Sequence, residues 1–193
     1  MFRPLLAALC LAFLPTLLTA AEPEAPAVGG AAPVFEAVTD EGTAWKSEDH
    51  TGEGWLVVYF YPAALTGGCT KQACGFRDDM KALTEKGVTV VGVSGDEPAN
   101  LKLFKKVHEL NFTLLSDPDG AVAKKFGVPL RDGGQIKHEF EGAEHILSRG
   151  VTAARWTFVI DPEKKIALKN SEVNAAGDSQ AILKFLSEKT AGN

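Results

Sequence analysis

A mixed α/β fold, with helices on both faces of a central β-sheet, is what the order of segments in this chain predicts. Three apolar strand segments, "WLVVYFY" (55–61), "VTVVGVS" (88–94) and "FTLLS" (112–116), alternate with helical segments. Such alternation asks for parallel strands whose faces are covered by the intervening helices. Two later strand segments, "RWTFVI" (155–160) and "KKIALKN" (164–170), flank Asp161-Pro162 and read as a hairpin that adds antiparallel strands. An amphipathic stretch then closes the chain.

The elements follow in order. Residues 1–21 pair a basic start at Arg3 with an apolar run from Leu5 to Leu14 and small residues Thr19, Ala20 and Ala21 before Glu22. That pattern reads as a secretory signal peptide. Pro15 interrupts a stretch already marginal for a membrane span. Cys10 follows Leu9, so no lipid-anchor site is read there. Residues 22–32, "EPEAPAVGGAA", are Pro, Ala and Gly with little to bury and read as a flexible leader. The expected domain covers residues 33–190. It begins with an N-terminal β-hairpin extension turning at Asp40-Glu41-Gly42.

After strand 55–61, the loop "PAALTGG" leads into a helix from about Cys69 to Lys86, stopped by Gly87. Residues 97–110 place Leu101, Phe104 and Leu110 on one side of a second helix. Asp117-Pro118-Asp119-Gly120 reads as the cap of a short helix reaching Phe126. Residues 127–154 are Gly-rich and polar for most of their length, and no element is assigned to them. The last helix covers 178–189, with Asp178 or Ser179 as its N-cap. A thioredoxin-like fold fits this order.

Charge and cysteine usage narrow the function. Removing 1–21 leaves about 170 residues, enough for one domain with a full core. The 193-residue chain carries a formal net charge of −5, and losing Arg3 makes it one unit more negative. No basic run is present, which argues against nucleic acid as a partner, because phosphate binding needs clustered Lys and Arg. No later segment is apolar enough to span a bilayer, so no stable membrane contact is expected after cleavage. Export implies an oxidising compartment, periplasmic or extracellular. Two cysteines remain there, Cys69 and Cys74.

Their spacing is chemically informative. Five residues of α-helix separate two Cα atoms by about 8.6 Å, from the rise, the turn angle and the helix radius. A disulfide tolerates only about 4.4–6.8 Å. The pair cannot bond inside a regular helix, so either the segment is not helical or it opens when the bond forms. Cys69 follows Gly67-Gly68 and should occupy the first helical turn. Free amide N–H groups and the positive end of the helix dipole favour a thiolate there. A thiolate that attacks a peroxide oxygen is left as a sulfenic acid, which a second thiol condenses into a disulfide.

The segment "YFYPAALTGGCTKQACGFRD" resembles the active-site segment of a peroxiredoxin, in particular the bacterioferritin-comigratory-protein/PrxQ branch. "LLSDPDGAVAKKFGV" (114–128) and "RWTFVID" (155–161) extend the resemblance over most of residues 28–190. It implies a thiol-dependent peroxidase acting on hydrogen peroxide and organic hydroperoxides. Pro62, Thr66 and Cys69 match the family's Pro-x-x-x-Thr-x-x-Cys motif. By that match, Cys69 would be peroxidatic and Cys74 resolving, Thr66 would hydrogen-bond the peroxide, and Pro62 would shield the thiolate. Arg155 matches the family's catalytic arginine, and a fixed cation there would stabilise the thiolate and orient the peroxide oxygens. The resemblance implies no metal, haem or flavin, an external dithiol protein of the thioredoxin type as reductant, and a monomer. The chain departs from the branch in having Gly67 in place of Pro, Gln72 in place of Glu, and a longer stretch from Val128 to Arg155.

Other readings weigh less. A structural disulfide across so small a loop would stabilise little. Arg77-Asp78 is at most support for the site. His138 and His145 lie among Glu139, Glu141 and Glu144 without tight ligand spacing, and a polar surface loop is expected. An exported copper-binding assembly protein of the Sco type would share the fold class, but it uses a different cysteine spacing and a partner histidine that has no counterpart here. A thiol–disulfide oxidoreductase would carry Cys-x-x-Cys, which is absent.

Overall fold

The structure is a computed structural model that describes residues 25–191. The expected signal peptide lies outside the described residues. Strand β1 (Glu36–Thr39) pairs with β2 (Ala44–Lys46) as the predicted hairpin. Strands β3 (Trp55–Phe60), β4 (Val88–Ser94) and β5 (Thr113–Ser116) run parallel. Helix α1 (Gly67–Glu85) connects the first two, and α2 (Pro98–His108) connects the second two. A short α3 (Ala121–Lys125), two long strands β6 (Leu130–Phe140) and β7 (Ala143–Ala153), then β8 (Trp156–Ile160), β9 (Ile166–Asn170) and α4 (Asp178–Ala191) complete the chain.

The main sheet has the order β2-β1-β5-β4-β3-β8-β9. The steps from β3 to β4 to β5 move one way along the sheet. Right-handed crossovers therefore put α1 and α2 on one face. Buried side chains confirm it: Val57, Tyr59 and Tyr61 pack with Phe76 and Leu83 of α1, Phe104 of α2, and Ile182 and Leu186 of α4. The alternate residues Leu56, Val58 and Phe60 face Phe35, Trp45 and Phe126 on the other side. Each such side chain, moved from water to this interior, contributes about 1.5–3 kcal/mol. The mixed sheet with helices on both faces, in the thioredoxin-like arrangement, is therefore present. Beneath α1, Tyr59 lies against Gly92, where an added Cβ would come within 2.6 Å of the phenol ring.

Two expectations change. The stretch expected as a flexible leader is tied down in its described part. The Gly29 amide donates to the Ile166 carbonyl, the Ile166 amide to Gly30, and the Ala32 amide to Lys164, at 2.8–2.9 Å. Those bonds occupy the chain around the start of β9, which composition alone does not reveal. Residues 127–154, left without an element, form the β6–β7 ribbon, a sheet of its own. Its strands are mostly exposed or half-buried, so they lack the apolar alternation that marks a strand in sequence. His138 and His145 face each other across this ribbon, not in a loop.

The ribbon is not loose. The Gly150 amide donates to Gly95, Glu97 to Ser148, and the Asn100 side chain to the Ser148 carbonyl at 2.7 Å. It thus rests on residues 95–100, directly after β4. Asp117 caps α3 as expected, accepting from the Val122 and Ala123 amides at 2.9 Å each.

Candidate active site

Strand register brings the site together. β3 and β8 are antiparallel with Phe60 opposite Trp156. Arg155, one residue before β8, therefore falls beside the end of β3, where the chain turns into residues 61–66. Helix α1 starts there. Its first turn holds no acidic side chain, so nothing competes for the positive end of its dipole. Cys69 sits in that turn, and only 1% of it is exposed. Its Sγ lies 3.3 Å from Arg155 Nη2.

Thr66 occupies the N-cap position of α1, with extended backbone angles, but its side chain caps nothing. Its hydroxyl donates instead to the Ala63 carbonyl at 2.8 Å. With its proton committed, the Thr66 oxygen is left free to accept a bond from a ligand O–H. Pro62 is half-buried at the entrance to the loop. Leu65 has φ 59°, left-handed backbone that a branched residue adopts at a cost. The loop is held from behind by Asp96, whose Oδ2 accepts from the Ala64 amide and the Ser94 hydroxyl, both at 2.8 Å.

Cys74 is half-buried in the same unbroken helix, and both thiols are free. Regular helix holds their Cα atoms about 8.6 Å apart. The first two turns must open before the sulfurs can meet. Of the five residues singled out from sequence, Pro62, Thr66, Cys69 and Arg155 gather at the helix N-terminus. Cys74 lies a turn and a half further along.

Three contributors escaped the sequence reading as site residues. Gln72, noted only as a departure, is buried and accepts from Arg155 Nη1 through Oε1. Its Nε2 donates to Asp178 Oδ2 at 2.8 Å. Asp178, expected as a cap of the last helix, is its first residue and turns its carboxylate away to Gln72 and to the Thr157 hydroxyl at 2.7 Å. Burial pushes the Asp178 carboxyl above its usual range, against the pull of those two hydrogen bonds and of the Arg155 charge. Asp96, the third, is likewise raised by burial, opposed by its Ala64 and Ser94 bonds and by the Arg149 charge. A buried Asp at a helix start has no distinct sequence signature. Arg77, by contrast, serves packing: Nη1 donates to the His108 carbonyl at 2.7 Å, bracing the end of α2.

Comparison with known proteins settles the family. Residues 28–169 match the AhpC/TSA family. The chain belongs to it. Among relatives, it is 39% identical over 150 residues to the putative peroxiredoxin bcp of Coxiella burnetii, covering 78% of this chain and 91% of that one. It is 36% identical over 160 residues to peroxiredoxin Bcp of Escherichia coli, covering 83% and 95%. Among solved structures, peroxidoxin BcpB of Mycobacterium tuberculosis superposes with a TM-score of 0.70 at 32% identity, covering 84% of this chain and 97% of that one. The bacterioferritin comigratory protein of Xanthomonas campestris, described with alkyl peroxide reduction activity, gives 0.65 at 27%, covering 80% and 91%. This is a peroxiredoxin of the Bcp/PrxQ branch, and its activity is that of a thiol-dependent peroxidase.

Proposed function

We propose that Cys69 is the peroxide-reducing thiol and Cys74 its resolving partner, with Thr66, Arg155 and Pro62 orienting the peroxide and shielding the thiolate. The observation that carries this reading is the buried Cys69 sulfur, in the first turn of α1 and 3.3 Å from a guanidinium. The thiolate attacks the nearer peroxide oxygen, an S–O bond forms, and the O–O bond breaks. The farther oxygen leaves as hydroxide or alkoxide, takes a proton, and departs as water or alcohol. Arg155 donates to the developing charge, where a placed donor is worth most. The Thr66 oxygen accepts from the O–H of the attacked oxygen.

Helix opening then brings Cys74 to the Cys69 sulfenic acid. The S–S bond forms as water leaves. An external dithiol protein reduces the disulfide by exchange. The relative described with alkyl peroxide reduction supports organic hydroperoxides as substrates beside hydrogen peroxide. The signal-like residues 1–21 support an exported enzyme, periplasmic or extracellular, with a reductant resident in the same compartment; the resemblance to the branch is what implies a monomer.

The test is single-turnover oxidation of the reduced protein by one equivalent of hydrogen peroxide, read by thiol count and intact mass. Wild type should lose both thiols rapidly to a disulfide. Cys74→Ser should stop at a sulfenic acid, and Cys69→Ser should react no faster than a free thiol. Rapid oxidation of Cys69→Ser would overturn the assignment.

A further inference from the structure

Arg155 has two jobs to divide between its nitrogens. Nη2 meets the Cys69 sulfur, while Nη1 is held by Gln72 Oε1. A glutamine side chain can present either its oxygen or its NH2 to a neighbour. Presenting NH2 to a guanidinium would set donor against donor and loosen the arginine. What lies behind Gln72 therefore matters. Asp178 Oδ2 lies behind it, 2.8 Å from Nε2. Asp178 Oδ2 accepts there, from Gln72 Nε2 and from the Thr157 hydroxyl alike, and so fixes which end of the amide points backward.

The surroundings keep this link in place. Asp178 is 2% exposed and Gln72 is 1% exposed. Helices α1 and α4 approach closely here, since a Cβ at Gly75 would sit 3.1 Å from Ser179 Oγ. The Thr157 hydroxyl donates to the same carboxylate oxygen from β8. The titratable groups that act on Asp178 electrostatically or feel its charge are Arg155, before β8, and Tyr59, on β3. Burial, with the Cys69 and Asp178 charges behind it, drives the Tyr59 phenol well above its usual range, so that ring is neutral. Arg155 is then the one cation among these groups, and the Gln72 amide stands between it and the Asp178 carboxylate.

We infer that Asp178 is a positioning residue for peroxide reduction: its carboxylate locks the Gln72 amide so that Gln72 Oε1 holds Arg155 against the Cys69 sulfur. Asp178 touches no substrate and acts only through residue 72. The inference rests on the peroxidase reading of Cys69 and Arg155.

The experiment is the rate of Cys69 oxidation by hydrogen peroxide across pH, in stopped flow. It uses wild type, Asp178→Ala, Gln72→Glu and the double variant. Asp178→Ala should slow oxidation about tenfold or more, and the pH of half-maximal reactivity should rise. Simple removal of a nearby negative charge would move that pH down. The Gln72→Glu variant supplies Arg155 with a carboxylate directly and needs no acceptor behind it. Adding Asp178→Ala to Gln72→Glu should therefore cost less than about threefold. An equal loss in both backgrounds, or no loss in either, overturns the inference. If Asp178→Ala does not melt cooperatively, the isosteric Asp178→Asn replaces it in the same cycle. Its slowing of about threefold or more should vanish in the Gln72→Glu background, and equal effects in both backgrounds again overturn it. Slow oxidation of wild type itself would instead be a failure of the peroxidase reading.

Discussion

Two buried aspartates hold the site from opposite sides, and they do so differently. Asp96, after β4, grips the backbone of the loop in front of Cys69 through the Ala64 amide. Asp178, at the start of α4, grips a side chain behind it, Gln72. Burial raises both carboxyls. A backbone amide can only donate, so Asp96 governs where the loop lies. An amide side chain can turn over, so Asp178 governs which atom meets Arg155. Similar burial thus yields geometry on one side and donor–acceptor order on the other.

The largest expected effect falls on Arg155, which meets both Cys69 and Gln72. Arg155→Lys keeps the charge but loses the planar fork that reaches Cys69 and Gln72 together. Single-turnover oxidation of Cys69 should slow about 10²-fold or more. A loss under threefold would show that a point charge suffices and that the Asp178 side has no geometric task.

Asp96→Ala should come next. It orphans the Ala64 amide and the Ser94 hydroxyl, at a cost of about 1–3 kcal/mol in urea unfolding. Peroxide oxidation should slow as well, and Gln72→Glu should not restore it. Restoration by Gln72→Glu would erase the distinction between the two aspartates.

The smallest effect is a pH dependence of stability. The Asp178 carboxyl is raised by burial, so the folded state binds its proton more tightly than the unfolded state does. Its contribution is fully present below the unfolded value near 3.8 and is lost as pH rises through the raised folded value. Asp178→Asn cannot titrate. Unfolding curves at pH 7, 6 and 5 should therefore show wild type gaining on Asp178→Asn as pH falls. Asp96→Asn should show the same sign, since its carboxyl is raised too. A gap that narrows toward acid would contradict the burial of these carboxyls.

How legible all this was in sequence depended on whether the signal was local. The strands of the core sheet showed as short apolar runs because both of their faces are buried, as Leu56, Val57, Val58 and Tyr59 are. The Asp117 cap showed because it acts on amides five and six residues away. The β6–β7 ribbon did not show, because few of its residues contribute to the core and its fixing bonds run mostly through backbone atoms to residues 95–100, far away in the chain. The docked stretch around Gly29 and Ala32 escaped for the same reason.

In the site, local chain order specifies the helix N-terminus before Cys69, the five-residue spacing that keeps Cys69 and Cys74 apart in a helix, and the motif positions Pro62, Thr66 and Arg155. These depend on neighbours in the chain or on a recurring pattern. What supports them is set by contacts between segments far apart in the chain. The β3–β8 register carries Arg155 across 86 residues to Cys69. Close packing of α1 on α4 sets Asp178 behind Gln72 across 106 residues. Hydrogen bonds of that reach act over about 3 Å in space and leave no periodic trace along the chain. A buried aspartate at the start of a helix looks in sequence like an ordinary cap until the fold shows where its carboxylate points.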